Sequence, residues 1–167
     1  MKFLLILIVP LLIMCVRPAI PVQVYFSPGV APETHIIALI KNCTKTLDIA
    51  IYGFTDSVIW EAVLEAAHRG VQVRIVFDKR EAAVSTSVHR FYQGPRMPGN
   101  IQMRVWNPRG LMHQKFCIGD KLTIITGSYN WTINAETINA ENLVVITDDS
   151  IVQSFQEEFE TLWTNSH

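Results

Sequence analysis

Residues 46–77 read TLDIAIYGFTDSVIWEAVLEAAHRGVQVRIVF, and the architecture turns on how they are parsed. Thr46 to Phe54 is a short, apolar, β-rich run, the pattern of a strand buried on both faces. Ser57 is placed as the N-cap of a helix that runs to His68 or Arg69, with Ile59, Ala62, Val63 and Ala66 on one face and Gly70 as its stop. Val71 to Phe77 then returns as a strand. Upstream, Val22 to Phe26 is another β-rich run, closed by the turn signal Ser27-Pro28-Gly29, and Pro32 opens a helix through Lys41. Strand, helix, strand, helix, strand with short connections predicts an α/β fold: a mixed, mostly parallel sheet flanked by helices.

Downstream, the spacing predicts a helix near Lys79 to Phe91 and a loop over Gln93 to Asn100, where Pro95, Pro98, Gly94 and Gly99 block regular structure. Ile101 to Trp106, Lys115 to Ile118, Leu122 to Thr126 and Leu143 to Thr147 read as strands, the middle two joined by a tight Gly119-Asp120-Lys121 turn. Ser150 to Trp163 places Ile151, Phe155, Phe159, Leu162 and Trp163 at helical spacing, a packing helix. With 167 residues the chain is long enough for one domain with a real core, expected over residues 22–167, and too short for two catalytic lobes.

Hydrophobic residues make up 49% and charged residues 17%, with 8 Gly and 8 Pro, which excludes disordered, collagen-like and disulfide-dense classes. The formal net charge of −1 hides a partition along the chain. Residues 68–121 hold ten Lys and Arg against Asp78, Glu81 and Asp120, whereas residues 122–167 hold seven acids and no Lys or Arg. Two readings are open: one electropositive face suited to phosphates, or charges scattered in space that cancel. After Met1-Lys2, the apolar run Phe3 to Val16 is short for a membrane span and suits a signal peptide or an N-terminal anchor over residues 1–21. Export to a periplasmic or extracellular space, or membrane association through residues 3–16, is therefore expected. Cys43 and Cys117 show no Cys-x-x-Cys or Cys/His ligand spacing, so neither a metal site nor a cofactor is expected, and a bridge between them is left open.

The chemistry gathers in Met112-His113-Gln114-Lys115-Phe116-Cys117-Ile118-Gly119-Asp120, Gly127-Ser128-Tyr129-Asn130-Trp131 and Glu141-Asn142. His113 and Lys115, two residues apart on an extended segment, project to the same side and set a nucleophile or base beside a fixed cation. Ser128, Asn130 and the backbone N–H groups of a small-residue turn can reach the same oxygens. Glu141 offers a carboxylate to the second imidazole nitrogen, fixing the tautomer. Such a set meets the demands of a phosphodiester hydrolase working without metal. Imidazole, with an ordinary pKa of about 6.5, attacks phosphorus as a neutral nucleophile, and Lys115, Ser128 and Asn130 stabilise charge on the non-bridging oxygens. One histidine cannot be both nucleophile and initial acid, so the chain is one histidine short.

These residues resemble the phospholipase D superfamily, whose signature of His-x-Lys followed by Asp stands here as His113, Lys115 and Asp120, with Gly127-Ser128-Tyr129-Asn130 and Glu141-Asn142 trailing it. Most members carry two copies of the signature; a single copy is similar to the short subgroup that includes the bacterial endonuclease Nuc and the mitochondrial cardiolipin hydrolase/Zucchini proteins. The resemblance implies a homodimer in which two copies of His113 face one phosphate, one forming a phosphohistidine and the other protonating the leaving oxygen. It implies a structural role for Asp120. A Cys/His zinc-finger insertion common in the Zucchini branch is absent, which favours the nuclease-like branch. Three functions follow as expectations: hydrolysis of DNA or RNA with little base specificity, release of phospholipid head groups by the same set, or binding by a decayed site. Arg96 and Arg109 are candidates for a polyanion groove. Trp106, Tyr129 and Trp131 are read as packing aromatics before base-stacking ones.

Overall fold

The structure is a computed structural model that describes residues 22–28, 32–91 and 97–167; the leader and Arg96 lie outside them. Seven strands form one sheet: β1 (Val22–Ser27), β2 (Thr46–Ile51), β3 (Gln72–Phe77), β4 (Ile101–Val105), β5 (Lys115–Gly119), β6 (Thr123–Gly127) and β7 (Glu141–Ile146), in the order β1-β7-β6-β5-β2-β3-β4. Helices α1 (Pro32–Asn42) and α2 (Ser57–His68) cover one face and α6 (Asp149–Thr164) the other. Short turns of helix, α3 (Lys79–Ala82), α4 (Val88–Phe91) and α5 (Ile133–Thr137), sit in the connections.

β2 lies inside the sheet, and its alternation feeds both cores. Leu47, Ile49 and Ile51 pack with Ile36, Ile40, Ile59 and Val63 under α1 and α2, while Ala50 packs with Phe116, Val152 and Phe159 under α6. A strand buried on both faces reads as an apolar run, which is why β2 was legible. Asp48 breaks that run toward α6. Its carboxylate takes Nε of Arg74 at 2.7 Å and Nη2 at 2.8 Å, and the same guanidinium reaches Glu160 of α6 at 2.7 Å while lying 4.8 Å over the Phe159 ring. Asp48 is buried and depends on this one cation. Arg74→Leu is therefore expected to destabilise the protein by about 3 kcal/mol or more, because it strands a buried carboxylate; a urea midpoint measured beside the double variant Asp48→Leu/Arg74→Leu, which recovers part of the loss, checks it.

The expectation of a mostly parallel sheet is corrected. Only β2–β3 and β3–β4 pair parallel; β1–β7, β7–β6, β6–β5 and β5–β2 are antiparallel. The strand-helix-strand rhythm holds for β2-α2-β3, but β1 does not join β2: it crosses to the far edge and pairs with β7. A tight turn through Asp120 and Lys121, with φ of 52° and 60°, forces β5 and β6 into a hairpin. The helix expected from Lys79 to Phe91 is two separate short turns, interrupted from Ala83 to Ser87. Asp56 rather than Ser57 caps α2, its Oδ1 accepting from the N–H of Val58 at 2.8 Å and of Ile59 at 3.2 Å. Both body cysteines are free and buried, and burial pushes the Cys43 thiol up to about 11 and the Cys117 thiol higher still.

Candidate active site

Four strand ends meet at one edge of the sheet: the exit of β2, the entry of β5, the exit of β6 and the entry of β7. His113 lies in the extended segment that leads into β5, held by its neighbours on both sides. Met112 is buried and its N–H donates to Oδ2 of Asp78 at 2.9 Å; the Gln114 carbonyl accepts the Tyr52 N–H at 3.0 Å. The backbone is therefore pinned while the His113 side chain stands exposed. Lys115 opens β5 and turns back beneath it. Its Nζ donates to the His113 carbonyl at 2.7 Å and lies 3.3 Å from Nδ1 of the imidazole. Lys115 is only 8% exposed, and burial pushes its ammonium below the ordinary lysine value, an effect that the Glu141 and Glu81 carboxylates oppose. Among the described residues no carboxylate forms an ion pair with it.

The turn after β6 supplies the second half. Gly127 has φ +151°, and a Cβ there would meet the Asn142 carbonyl oxygen at 2.2 Å, so only glycine lets β6 approach β7 this closely. Ser128 donates its hydroxyl proton to Glu141, accepts the Asn142 N–H at 3.1 Å, and donates its own N–H to the Asn142 carbonyl at 3.1 Å. Oδ1 of Asn130 accepts the Gly53 N–H at 3.2 Å, which leaves its Nδ2 as a donor for an incoming oxygen. The Trp131 N–H donates to the Gly53 carbonyl at 2.9 Å, tying this turn to the exit of β2. The arrangement sets an exposed imidazole beside a desolvated cation and a carboxamide donor, a layout able to hold a tetrahedral anion and attack it. Glu141 differs from its expected role within one chain: its Oε2 holds Ser128 and its Oε1 takes Nδ2 of Asn139 at 3.1 Å, while the contacts of the His113 ring are Lys115 and Tyr52. Sequence reasoning missed Tyr52, whose ring centroid lies 4.5 Å from that of His113. The available signal was a polar aromatic at the exit of a buried strand.

The model of the family described as "Cardiolipin synthase, PLD-like domain" matches residues 36–163, which span every element of the site. The chain belongs to the phospholipase D-like family. Nuc, a phospholipase D family member from Salmonella typhimurium, superposes with a TM-score of 0.79 at 31% identity over 88% of this chain and 96% of its own. Similarity in sequence reaches a mitochondrial cardiolipin hydrolase of Chlamydomonas reinhardtii, 37% identical over 78% of this chain, and a phospholipase D of Rickettsia prowazekii, 30% identical over 87% of this chain and 69% of its own. This chain spans little more than half, 56%, of the Chlamydomonas protein.

Within this phospholipase D-like domain the signature separates. Asp120 sits at the opposite end of β5, roughly 15 Å of strand from Lys115, and is not brought to the site. Its Oδ1 accepts the N–H of Lys45 at 2.7 Å and of Thr46 at 2.9 Å, and its Oδ2 accepts the N–H and hydroxyl of Thr44, both at 2.9 Å. The carboxylate thus pins the start of β2 to the β5–β6 turn. Burial alone would raise its pKa, but the donors from Thr46, Thr44 and Lys45 outweigh it and hold the group below 3.8. A lowered carboxyl contributes stability that is present above its unfolded value and lost as pH falls through the folded one. Asp120→Ala is expected to cost about 1–2 kcal/mol at pH 7, limited by solvent access, and progressively less as pH falls through the lowered carboxyl range; a pH series of urea titrations checks it.

Four arginines of the basic block are held in contacts within the fold. Arg69 donates to the carbonyls of Ile40, Lys41 and Cys43 at the end of α1, Arg90 to Ala83, and Arg104 to Trp163, while Arg74 is held by Asp48 and Glu160. Arg109 is exposed four residues before His113, away from any hydrogen bond among the described residues. Tyr129 and Trp131 are buried packing residues, the Tyr129 hydroxyl donating to Glu136 at 2.8 Å. Among the described residues, no three His, Cys, Asp or Glu side chains are arranged to hold a metal ion, and no helix is long and apolar enough to cross a membrane.

Proposed function

We propose that this chain is a metal-independent phosphodiesterase that opens phosphodiester bonds of nucleic acid, in the manner of an endonuclease, through a phosphohistidine on His113. The observation that carries the reading is the exposed imidazole set 3.3 Å from a buried Lys115 ammonium that, among the described residues, has no carboxylate ion pair. The cation is placed to receive a non-bridging phosphate oxygen, and Asn130 Nδ2 takes a second. Ser128, bound to Glu141 and to Asn142, holds the turn that presents Asn130.

The missing acid comes from a homodimer with a shared site. The unprotonated ring nitrogen of His113 attacks phosphorus as the bond to the leaving oxygen breaks, and the partner's His113, protonated at the start, gives its proton to that oxygen. The partner's His113, now neutral, takes a proton from water; the resulting hydroxide attacks phosphorus and the P–N bond breaks, restoring both imidazoles. Glu141 belongs to this scheme as a carboxylate that orders the phosphate-binding turn. Residues 3–16 act as the export or anchoring segment.

One observation favours a second reading, release of a phospholipid head group. Phe26 at the end of β1 is 66% exposed and Ile138, just before β7, is 70% exposed; Leu111, beside His113, is also exposed. Apolar side chains at the site's end of the sheet, with arginines drawn into structural contacts elsewhere, suit a lipid surface better than a polyanion. The test is a paired assay of the full chain in EDTA, with single- and double-stranded DNA and RNA in one arm and phosphatidylcholine or cardiolipin vesicles in the other. Cleavage of nucleic acid that is lost in His113→Ala supports the first reading. Head-group release with intact nucleic acid replaces it by the second, and tight binding without turnover in either arm makes the domain a binding module.

A further inference from the structure

Lys115 presents an electrostatic problem that the scheme above leaves unsolved. Its ammonium is buried, and among the described residues it has no carboxylate partner, only the His113 carbonyl at 2.7 Å and the imidazole edge. A desolvated ammonium in that setting gives up its proton more readily, and a neutral amine could not hold phosphate as a cation does. What remains in contact is the Tyr52 ring, whose centroid lies 4.9 Å from Nζ. The same ring meets the His113 imidazole at 4.5 Å between centroids, inclined by 56°. Its own position is fixed: the Tyr52 N–H donates to the Gln114 carbonyl between the two reacting residues, and Gly53, next in the chain, is tied to Asn130.

We propose that the Tyr52 ring is a positioning element of the reaction centre, holding the Lys115 ammonium against its π system and the His113 imidazole at a set inclination beside it. The inference rests on the reading of His113 and Lys115 as the reacting pair. A cation over an aromatic face is stabilised relative to the neutral amine, and more strongly when water is excluded. The ring thereby maintains the charge that the phosphate requires, and the inclined ring contact limits rotation of the imidazole about its side chain. The phenol hydroxyl has a different place. Burial, then the Glu81 and Asp78 carboxylates, push its ionisation above the ordinary tyrosine value, so it stays a neutral phenol, engaged with Glu81 rather than with His113 or Lys115. The ring is therefore the working part and the hydroxyl is dispensable.

The experiment compares Tyr52→Phe, which keeps the ring, with Tyr52→Leu and Tyr52→Met, which keep apolar bulk without a π face. Each is made in the full chain and assayed on bis-p-nitrophenyl phosphate, a soluble diester that takes no side between lipid and nucleic acid. For the Leu and Met variants kcat is expected to fall roughly 10- to 30-fold with little change in KM, and the alkaline limb of the kcat profile to move to lower pH, because Lys115 loses the support for its charged form. Tyr52→Phe is expected to stay within about twofold of wild type. A second readout does not need turnover: the imidazole ¹⁵N resonances of His113, assigned by their loss in His113→Asn, are expected to shift and titrate differently in Tyr52→Leu and as wild type in Tyr52→Phe. If wild type hydrolyses the diester and the Leu and Met variants match it in kcat, pH limb and resonances, the proposal is wrong; equal impairment of Phe and Leu also overturns it by moving the role to the hydroxyl. If wild type shows no turnover, the reacting-pair reading fails, and the resonances alone decide whether Tyr52 positions His113.

Discussion

His113→Ala is expected to reduce phosphodiester hydrolysis by at least roughly 10⁴-fold while leaving the fold intact. The two halves of that statement have separate grounds. In the proposed dimer one substitution removes the nucleophile from one protomer and the acid from the other, so no half-site retains a working pair. Stability is a different matter, because the imidazole is exposed and what pins this segment is the backbone of Met112 and Gln114 together with the buried Met112 side chain. The urea midpoint should therefore move by no more than about 0.5 kcal/mol. EDTA should leave wild-type turnover unchanged. Activity above about one hundredth of wild type in a folded His113→Ala protein, a level a lost nucleophile does not leave, would take the nucleophile role away from this residue.

Gly127→Ala carries the second largest expected effect, and it couples stability to chemistry. A Cβ at this position falls 2.2 Å from the Asn142 carbonyl oxygen, and φ of +151° is a conformation that side-chain-bearing residues avoid. Both partners are backbone, so no rotamer change relieves the contact. β6 and β7 have to separate, which breaks the Ser128-to-Asn142 hydrogen bonds and moves Ser128 and Asn130 together. We expect a loss of at least about 3 kcal/mol in unfolding free energy. In the fraction that remains folded, a displacement near 1 Å costs roughly 10²-fold in kcat. Gly99→Ala is the control, because nothing lies within 4 Å of a Cβ built there; its midpoint should be unchanged. Near-native turnover in Gly127→Ala would mean that the turn after β6 does not set the site.

Phosphate recognition in this scheme depends on placement more than on charge. Of the ten basic residues in the central block, Arg69, Arg74, Arg90 and Arg104 are tied to backbone carbonyls or to Asp48 and Glu160. Of these four, Arg74 is paired with carboxylates and the other three are anchored by neutral backbone carbonyls, and one buried lysine stands at the site. A substrate bound through a single phosphate, with little contribution from a wide positive surface, is expected to show only a shallow dependence of KM on salt.

The strands and helices of local character were legible from the chain alone. α1 begins at Pro32 as read, α2 ends at the expected residue, and the 3.6-residue spacing of Phe155, Phe159 and Leu162 is the buried stripe of α6. Periodicity and capping chemistry act within a few residues, so a linear reading reaches them. Even there the cap is misplaced by one residue: Ser57 is expected, and Asp56 caps α2. Strand partners lay beyond that reach. β1 crosses to β7 and β5 enters between β2 and β6, because pairing is decided by which edges remain unfilled after distant segments pack.

The site divides in the same way. His113, Lys115, Ser128, Asn130 and Glu141 could be named from the sequence because their residue types and spacing state a chemical need. Which of them touch is a property of the assembled sheet. It gives Glu141 to Ser128 instead of to the imidazole, sends Asp120 to the far end of β5 as a backbone clamp, and delivers Tyr52, from a strand sixty residues earlier, against both His113 and Lys115. The sequence alone determined most of the elements and the candidate site residues, since these depend on short-range backbone preference and on functional-group chemistry. Only the tertiary structure decided orientation, desolvation and company, since those depend on contacts between residues remote in the chain.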